Sequence, residues 1–184
     1  MNVSGYAAGI CERLEEIFLS IDEAQFSRIV EEIDEAPRVF VLGRGRSGAV
    51  MRMFAMRLMH LGMVVHVVGD TTAPSIAEED LLMVASGSGQ TPSCGLLAGI
   101  ARQIGARVGL ITGASGSSPL AELADFKIVI PVGTNVADEG YPQQFGGSFF
   151  EQALLICLDA VVDELRRKRG ISFEFMKTKH ANLE

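Results

Sequence analysis

The chain opens on a helix-period pattern. Between Ala7 and Ile33 apolar side chains recur at spacings of three and four: Ile10, Leu14, Ile17 and Phe18 on one face, then Phe26, Ile29, Val30 and Ile33 on another. Ser20 followed by Glu23 reads as a capping box dividing two helices, and Pro37 ends the pattern. Beyond Pro37 the period changes. Short β-rich runs at Val39–Leu42, Val64–Val68, Leu81–Ala85, Val108–Ile111 and Phe126–Pro131 alternate with helical patterns at Ser47–Leu61, Pro92–Ile104, Pro119–Leu123 and from about Gly147 to Lys168. The runs are apolar at successive positions, which predicts strands covered on both faces. Such alternation predicts an α/β fold: one doubly wound, flavodoxin-like, five-stranded parallel sheet flanked by helices, with an N-terminal helical layer. No repeat or linker interrupts it, so residues 1–184 read as one domain, with N-terminal helices at 1–36, an α/β core at 37–168 and a C-terminal tail at 169–184. The two leading helices are candidates for an oligomer interface.

Composition narrows the partners. With 48% apolar and 21% charged residues the chain is neither disordered nor fibrous, and its formal charge of −7 disfavours a nucleic-acid partner. An anionic small molecule then requires positive potential gathered locally. No run reaches the roughly 18 apolar residues of a membrane span, and the N-terminus lacks a signal-peptide pattern, so a cytoplasmic protein with no membrane partner is expected. Cys11, Cys94 and Cys157 form no C-x-x-C pair. Cys11 and Cys157 fall in helical patterns and are expected to be buried small hydrophobes. Cys94 adjoins a candidate ligand loop but has no histidine nearby in sequence to activate it.

Two loops carry the chemistry. The first, in "VFVLGRGRSGAV", spells G-x-G-x-x-G with Gly43, Gly45 and Gly48, and Asp70 lies at the distance expected of a ribose-binding carboxylate. Here glycines admit backbone N–H groups to an anion, the following helix offers unpaired donors, and Arg44, Arg46 and Ser47 add charge and a hydroxyl. The plain alternative is a tight strand-to-helix turn with two solvated arginines. The second loop, "ASGSGQTPS", supplies Ser86, Ser88 and Thr91 between Gly87 and Gly89, with Gln90 beside them, Thr91 as N-cap and Pro92 as first helical residue. Its plain alternative is a well-capped helix. Together they argue against the dinucleotide, which needs no second hydroxyl-rich nest after the third strand. There is no P-loop lysine either, and Asp70 reads as a solvated loop acid. The expected site holds a phosphate group without a metal, on Gly45, Arg46, Ser47 and Gly48 and on Ser86, Gly87, Ser88, Gly89, Gln90 and Thr91.

The Gly-rich turn with Ser47, "SGSGQT" after the third strand and the five-strand pattern resemble the sugar isomerase (SIS) domain family, in which hydroxyls of these loops hold a sugar phosphate. Within that family "GRGRSG", "MRLMHLG", "FEQALLICLDAVVDEL" and the tail "MKTKHANLE" resemble, along nearly the full length, the members that convert a 3-hexulose 6-phosphate to fructose 6-phosphate in the ribulose monophosphate route of formaldehyde handling. The family's first loop reads GAGRSG, so Arg44 is an added positive charge; before Phe150 its members more often read like PMGTLFE, where this chain has "QFGGSFFE".

Moving a carbonyl from C3 to C2 takes a proton from one carbon and returns it to its neighbour through an enediol. No electrons leave the substrate, so no redox cofactor is required, and one carboxylate can carry the proton. Glu151, between a polar loop and the apolar helix "ALLICLDAVV", is the candidate base. Its plain alternative is an acid offsetting the helix dipole. His60 falls about 20 Å along its helix from Ser47. The resemblance implies that it relays the oxygen-bound proton at an active site shared between subunits of a homotetramer. Without the resemblance it is a helix-terminal histidine. His66 reads as structural and His180, in the tail, as a further candidate. Two rivals stand beside this assignment. One is another SIS-type aldose or ketose phosphate isomerase, acting for instance on arabinose 5-phosphate or sedoheptulose 7-phosphate. The other is a non-catalytic sugar-phosphate sensor, which normally carries an effector domain that the acidic leading helices do not resemble.

Overall fold

A computed structural model describes residues 2–132, 142 and 144–183. Two helices, α1 (Val3–Leu19) and α2 (Glu23–Glu35), precede five strands: β1 (Val39–Gly43), β2 (Val65–Val67), β3 (Leu81–Ala85), β4 (Arg107–Thr112) and β5 (Phe126–Val129). Between them run α3 (Gly45–His60), α4 (Pro92–Ile104) and α5 (Pro119–Leu123), and α6 (Ser148–Lys168) and α7 (Phe173–Thr178) follow. Every strand pair is parallel, in the order β2-β1-β3-β4-β5. This is the predicted doubly wound sheet.

Successive strand residues point to opposite faces. Val39, Val41, Leu81, Met83, Ile111 and Ile128 face a core shared with α1, α2, α3 and α6. Phe40, Leu42, Leu82, Val84, Val108 and Leu110 face one built with α4 and α5. The order reverses between β1 and β3. Their register sets Gly43 opposite Ala85, so the segments that leave these strands begin side by side. A crevice between diverging loops at this point is where such sheets bind ligands.

Several boundaries differ from the sequence expectation. Asp22, not Ser20, caps α2, accepting from Ala24 N at 2.8 Å and Gln25 N at 3.3 Å. Ser20 belongs to the turn that ends α1, where its Oγ donates to Ile17 O. Cys11 is exposed, because it lies off the Ile10–Leu14–Ile17 stripe that α1 buries. Cys157 and Cys94 are buried: burial pushes the Cys157 thiol up to about 12, and it raises that of Cys94 despite the nearby Arg44 charge. The helix α3 begins at Gly45, with Arg44 as its extended N-cap.

The tail is helical where described. Ser172 caps α7 by accepting from Phe175 N at 3.1 Å, and Arg166 covers the Phe173 ring at 4.5 Å. Lys168 and Arg169 reach Asp34 on α2 at 2.9 and 2.6 Å, tying the end of α6 to the leading helices. Among the described residues no helix is long and apolar enough to cross a membrane.

Candidate active site

The first loop is shaped by backbone contact. A Cβ on Gly43 would lie 2.9 Å from Gly48 N, and one on Gly48 would lie 2.7 Å from Gly43 O. These glycines let the end of β1 pack against the first turn of α3. Gly45 adopts φ +56 and starts the helix in a conformation that side chains disfavour. Two of the three glycines in the dinucleotide-like pattern are therefore explained by packing alone. Asp70, the would-be ribose ligand, pairs with Arg52 at 2.8 Å.

The second loop is held from below. Gly113 N donates to Gly87 O at 2.9 Å and Leu120 N to Gly89 O at 3.1 Å, so the loop rests on the residue that follows β4 and on the first turn of α5. Gly89 has φ +65, and a Cβ there would stand 2.3 Å from Ser118 Oγ. Thr91 occupies the N-cap position of α4, but its hydroxyl makes no cap bond. It shares a 2.9 Å hydrogen bond with Ser86, whose residue is only 3% exposed. Ser86 and Thr91 thus brace the loop, while exposed Ser88 accepts a 3.2 Å bond from Gln90 N.

The third wall comes from the start of α6. Gly146 and Gly147, at φ +49 and +72, make a left-handed turn into the helix. Gln144 and Gln152 exchange amide hydrogen bonds of 3.1 and 3.2 Å that fix this turn to α6. Glu151 follows in the first helical turn, its side chain 14% exposed, with buried Phe150 beside it.

Ser47, Gly87, Ser88, Gly146, Gly147, Phe150 and Glu151 line one cavity of about 260 Å³. Arg46, next to Ser47 in the chain, forms a hydrogen-bonded ion pair with the Glu151 carboxylate while remaining 67% exposed itself. The pocket gathers two serines, three glycines and one carboxylate, and that carboxylate is paired with the Arg46 cation. Such a pocket suits an anionic, hydroxylated ligand and a proton transfer. Of the predicted residues, Ser47, Gly87, Ser88 and Glu151 meet in the cavity, Arg46 pairs with Glu151, and Gly45, Gly48, Ser86, Gly89, Gln90 and Thr91 shape or support its loops. The stretch "QFGGSFFE" marks this loop in the sequence, but not the left-handed conformation of Gly146 and Gly147 that makes it a wall of the cavity.

His60 lies elsewhere. It ends α3, at the far end of the helix from Ser47, and is 3% exposed. Its ring stacks on that of His180 at 5.3 Å, and Arg57 Nη1 lies 3.4 Å from its Nδ1. Burial, then the charges of Arg57 and His180, hold its pKa below the usual histidine value. With Asp159, Arg166 and Lys177 these residues border a separate cavity of about 360 Å³. His66 sits in β2 with its ring 5.1 Å from that of Phe40. Among the described residues no group of three or more His, Cys, Asp or Glu side chains is placed to hold a metal ion.

The parallel sheet, with its hydroxyl-bearing loop at the point of strand reversal, sets the class, and residues 32–146 match the SIS domain: the chain belongs to the SIS-domain family. Its similarity to particular members is closer still. It is 45% identical over 166 residues to the 3-hexulose-6-phosphate isomerase of Mycobacterium gastri, covering 89% of this chain and 82% of that one. It is 36% identical to the Bacillus subtilis 3-hexulose-6-phosphate isomerase over the full length of both. The solved structure of a Methanococcus jannaschii protein, from which a 3-hexulose-6-phosphate isomerase function was inferred, superposes with a TM-score of 0.81 at 33% identity over 97% of each chain.

Proposed function

We propose that this protein isomerises a 3-hexulose 6-phosphate to fructose 6-phosphate through an enediol. The observation that carries the reading is the shared cavity, which brings Glu151 together with Ser47 and Ser88. The phosphate is held by Ser47, Ser88 and the N–H groups of the second loop, with Ser86 and Thr91 keeping that loop in shape. Glu151 takes the proton from one carbon and returns it to the next. The substrate phosphate competes with Glu151 for Arg46, whose exposed side chain has room to turn toward the anion. A bond to the phosphate dianion would leave the carboxylate free to act as base. The similarity to named 3-hexulose-6-phosphate isomerases supports this substrate over aldose phosphates.

The oligomer belongs to the same proposal. Because α3 holds His60 about 20 Å from Ser47, His60 can serve this chemistry only at the cavity of a second subunit, where it would relay the oxygen-bound proton. We assign a cytoplasmic homotetramer with shared sites. The test is a coupled assay in which hexulose 6-phosphate is made from ribulose 5-phosphate and formaldehyde, and fructose 6-phosphate is read out enzymatically. Turnover that persists with chelator supports the metal-free carboxylate mechanism. No turnover with hexulose 6-phosphate, alongside turnover of an aldose phosphate, would replace the substrate.

A further inference from the structure

Three arginines lie in or follow the first loop, and they are not equivalent. Arg46 pairs with Glu151 and Arg52 with Asp70. Arg44 has no carboxylate partner among the described residues. Its Nε instead donates to Ser93 Oγ at 3.1 Å, in the first turn of α4. The side chain therefore spans from the end of β1 to the helix that follows β3. It crosses the line along which the strand order reverses, and along which Gly43 and Ala85 sit in register. That tether uses one donor of the guanidinium fork and leaves the two terminal nitrogens without a partner among the described residues. In a chain of net charge −7, this is an exposed cation that lines a neighbouring cavity with Arg52 and is tethered to the residue that closes the hydroxyl-rich loop.

We infer that Arg44 is a specificity-determining residue of the phosphate site: anchored by Ser93, it presents its terminal nitrogens to the phosphate held between the two loops. This rests on the isomerase site proposed above and adds to it a charge the two loops do not otherwise supply, since Arg46 is shared with Glu151. A planar fork fixed at one nitrogen loses little freedom on binding and suits two oxygens of a phosphate. The consequence is selective. Arg44 strengthens retention of phosphorylated ligands and does nothing for the unphosphorylated sugar. Its charge effect weakens with salt, which a purely mechanical latch between the loops would not do.

The experiment titrates fructose 6-phosphate and inorganic phosphate by calorimetry into wild type, Arg44→Met, Arg44→Lys, Ser93→Ala and Ser88→Ala, with turnover of hexulose 6-phosphate measured in parallel. Loss of a charge-assisted contact predicts that Arg44→Met weakens both ligands about tenfold, and that kcat/KM falls by a similar factor carried by KM. Arg44→Lys recovers part of the loss, Ser93→Ala loses less than Arg44→Met, and the gap between wild type and Arg44→Met narrows as potassium chloride rises. If Arg44→Met binds as wild type does while Ser88→Ala is weakened, the role of Arg44 is overturned and the site stands. If wild type binds neither ligand, the two-loop site and this role fall together. A loss in Arg44→Met that is independent of salt, and not eased by Arg44→Lys, would make the residue a latch and overturn the charge role.

Discussion

Glu151 and Ser88 are the side chains on which the chemistry turns, and each is separable. Replacing Glu151 by Gln keeps size and hydrogen-bonding capacity but removes the base. Positioned acid–base groups contribute roughly 10²–10⁴-fold, so kcat should fall by at least about 10²-fold, with fructose 6-phosphate affinity within a few-fold by calorimetry. Wild-type-like turnover in that variant ends the mechanism. The two serines of the second loop should behave differently. Ser88→Ala, at an exposed position lining the cavity, should raise KM and leave thermal stability in place. Ser86→Ala removes a buried hydroxyl and its bond to the half-buried Thr91 hydroxyl, and should cost about 1 kcal/mol of unfolding free energy in a denaturant titration. Sequence made all the loop hydroxyls visible but not their directions. Whether a serine faces ligand or scaffold depends on the strands and turns beneath it.

His60 adds a pH dependence of known sign. Its folded-state pKa lies below 6.5 because it is buried near Arg57 and His180, so the unfolded chain binds its proton more tightly. The stability it contributes is present above about pH 6.5 and is lost as the pH falls below that value toward the folded pKa. Asp159, Asp163 and Arg166 on α6 and Lys177 on α7 also border this cavity, so the measurement is a difference. Melting temperature should drop between about pH 6.5 and 5 more steeply in wild type than in His60→Gln. Equal slopes would show that His60 is not the titrating group.

The elements themselves were largely legible. Apolar runs of four to six residues between helical periods located five strands, and a buried parallel sheet left little freedom in what they built. The ends were less legible. A capping pair such as Ser20 and Glu23 is only an offer, and Asp22 takes the position because the chain first becomes extended there. Thr91 stands at the N-cap of α4 yet gives its hydroxyl to Ser86. The glycine pattern after β1 was visible as a pattern and ambiguous as chemistry, since close backbone packing and anion binding both ask for glycine. The structure separates them. Gly48→Ala should force the Gly43 carbonyl away from α3, costing about 2–3 kcal/mol and lowering the melting temperature, a test that needs no substrate. An unchanged melting temperature would return Gly48 to the list of ligand-facing residues.

At the level of the whole molecule, one rigid helix keeps His60 and the Ser47 cavity apart. Sharing of sites is directly testable. Subunits carrying Glu151→Gln and subunits carrying His60→Gln, each inactive alone, should regain activity when unfolded and refolded together. Each mixed pair of neighbours then completes one intact site. No recovery, with mixed oligomers demonstrated, would confine the mechanism to one chain.

Local pattern was enough for the sheet, its coverage on both faces, the two loops at the strand ends and the carboxylate that opens α6. Apolar periodicity and turn chemistry are properties of neighbouring residues, and neighbours are what a sequence displays. The approach of Glu151 to residues more than sixty positions earlier, the bond from Arg44 to Ser93 and the stacking of His180 on His60 appear only after the chain has folded back on itself. Strand order and helix packing set those distances. No spacing along the chain encodes them.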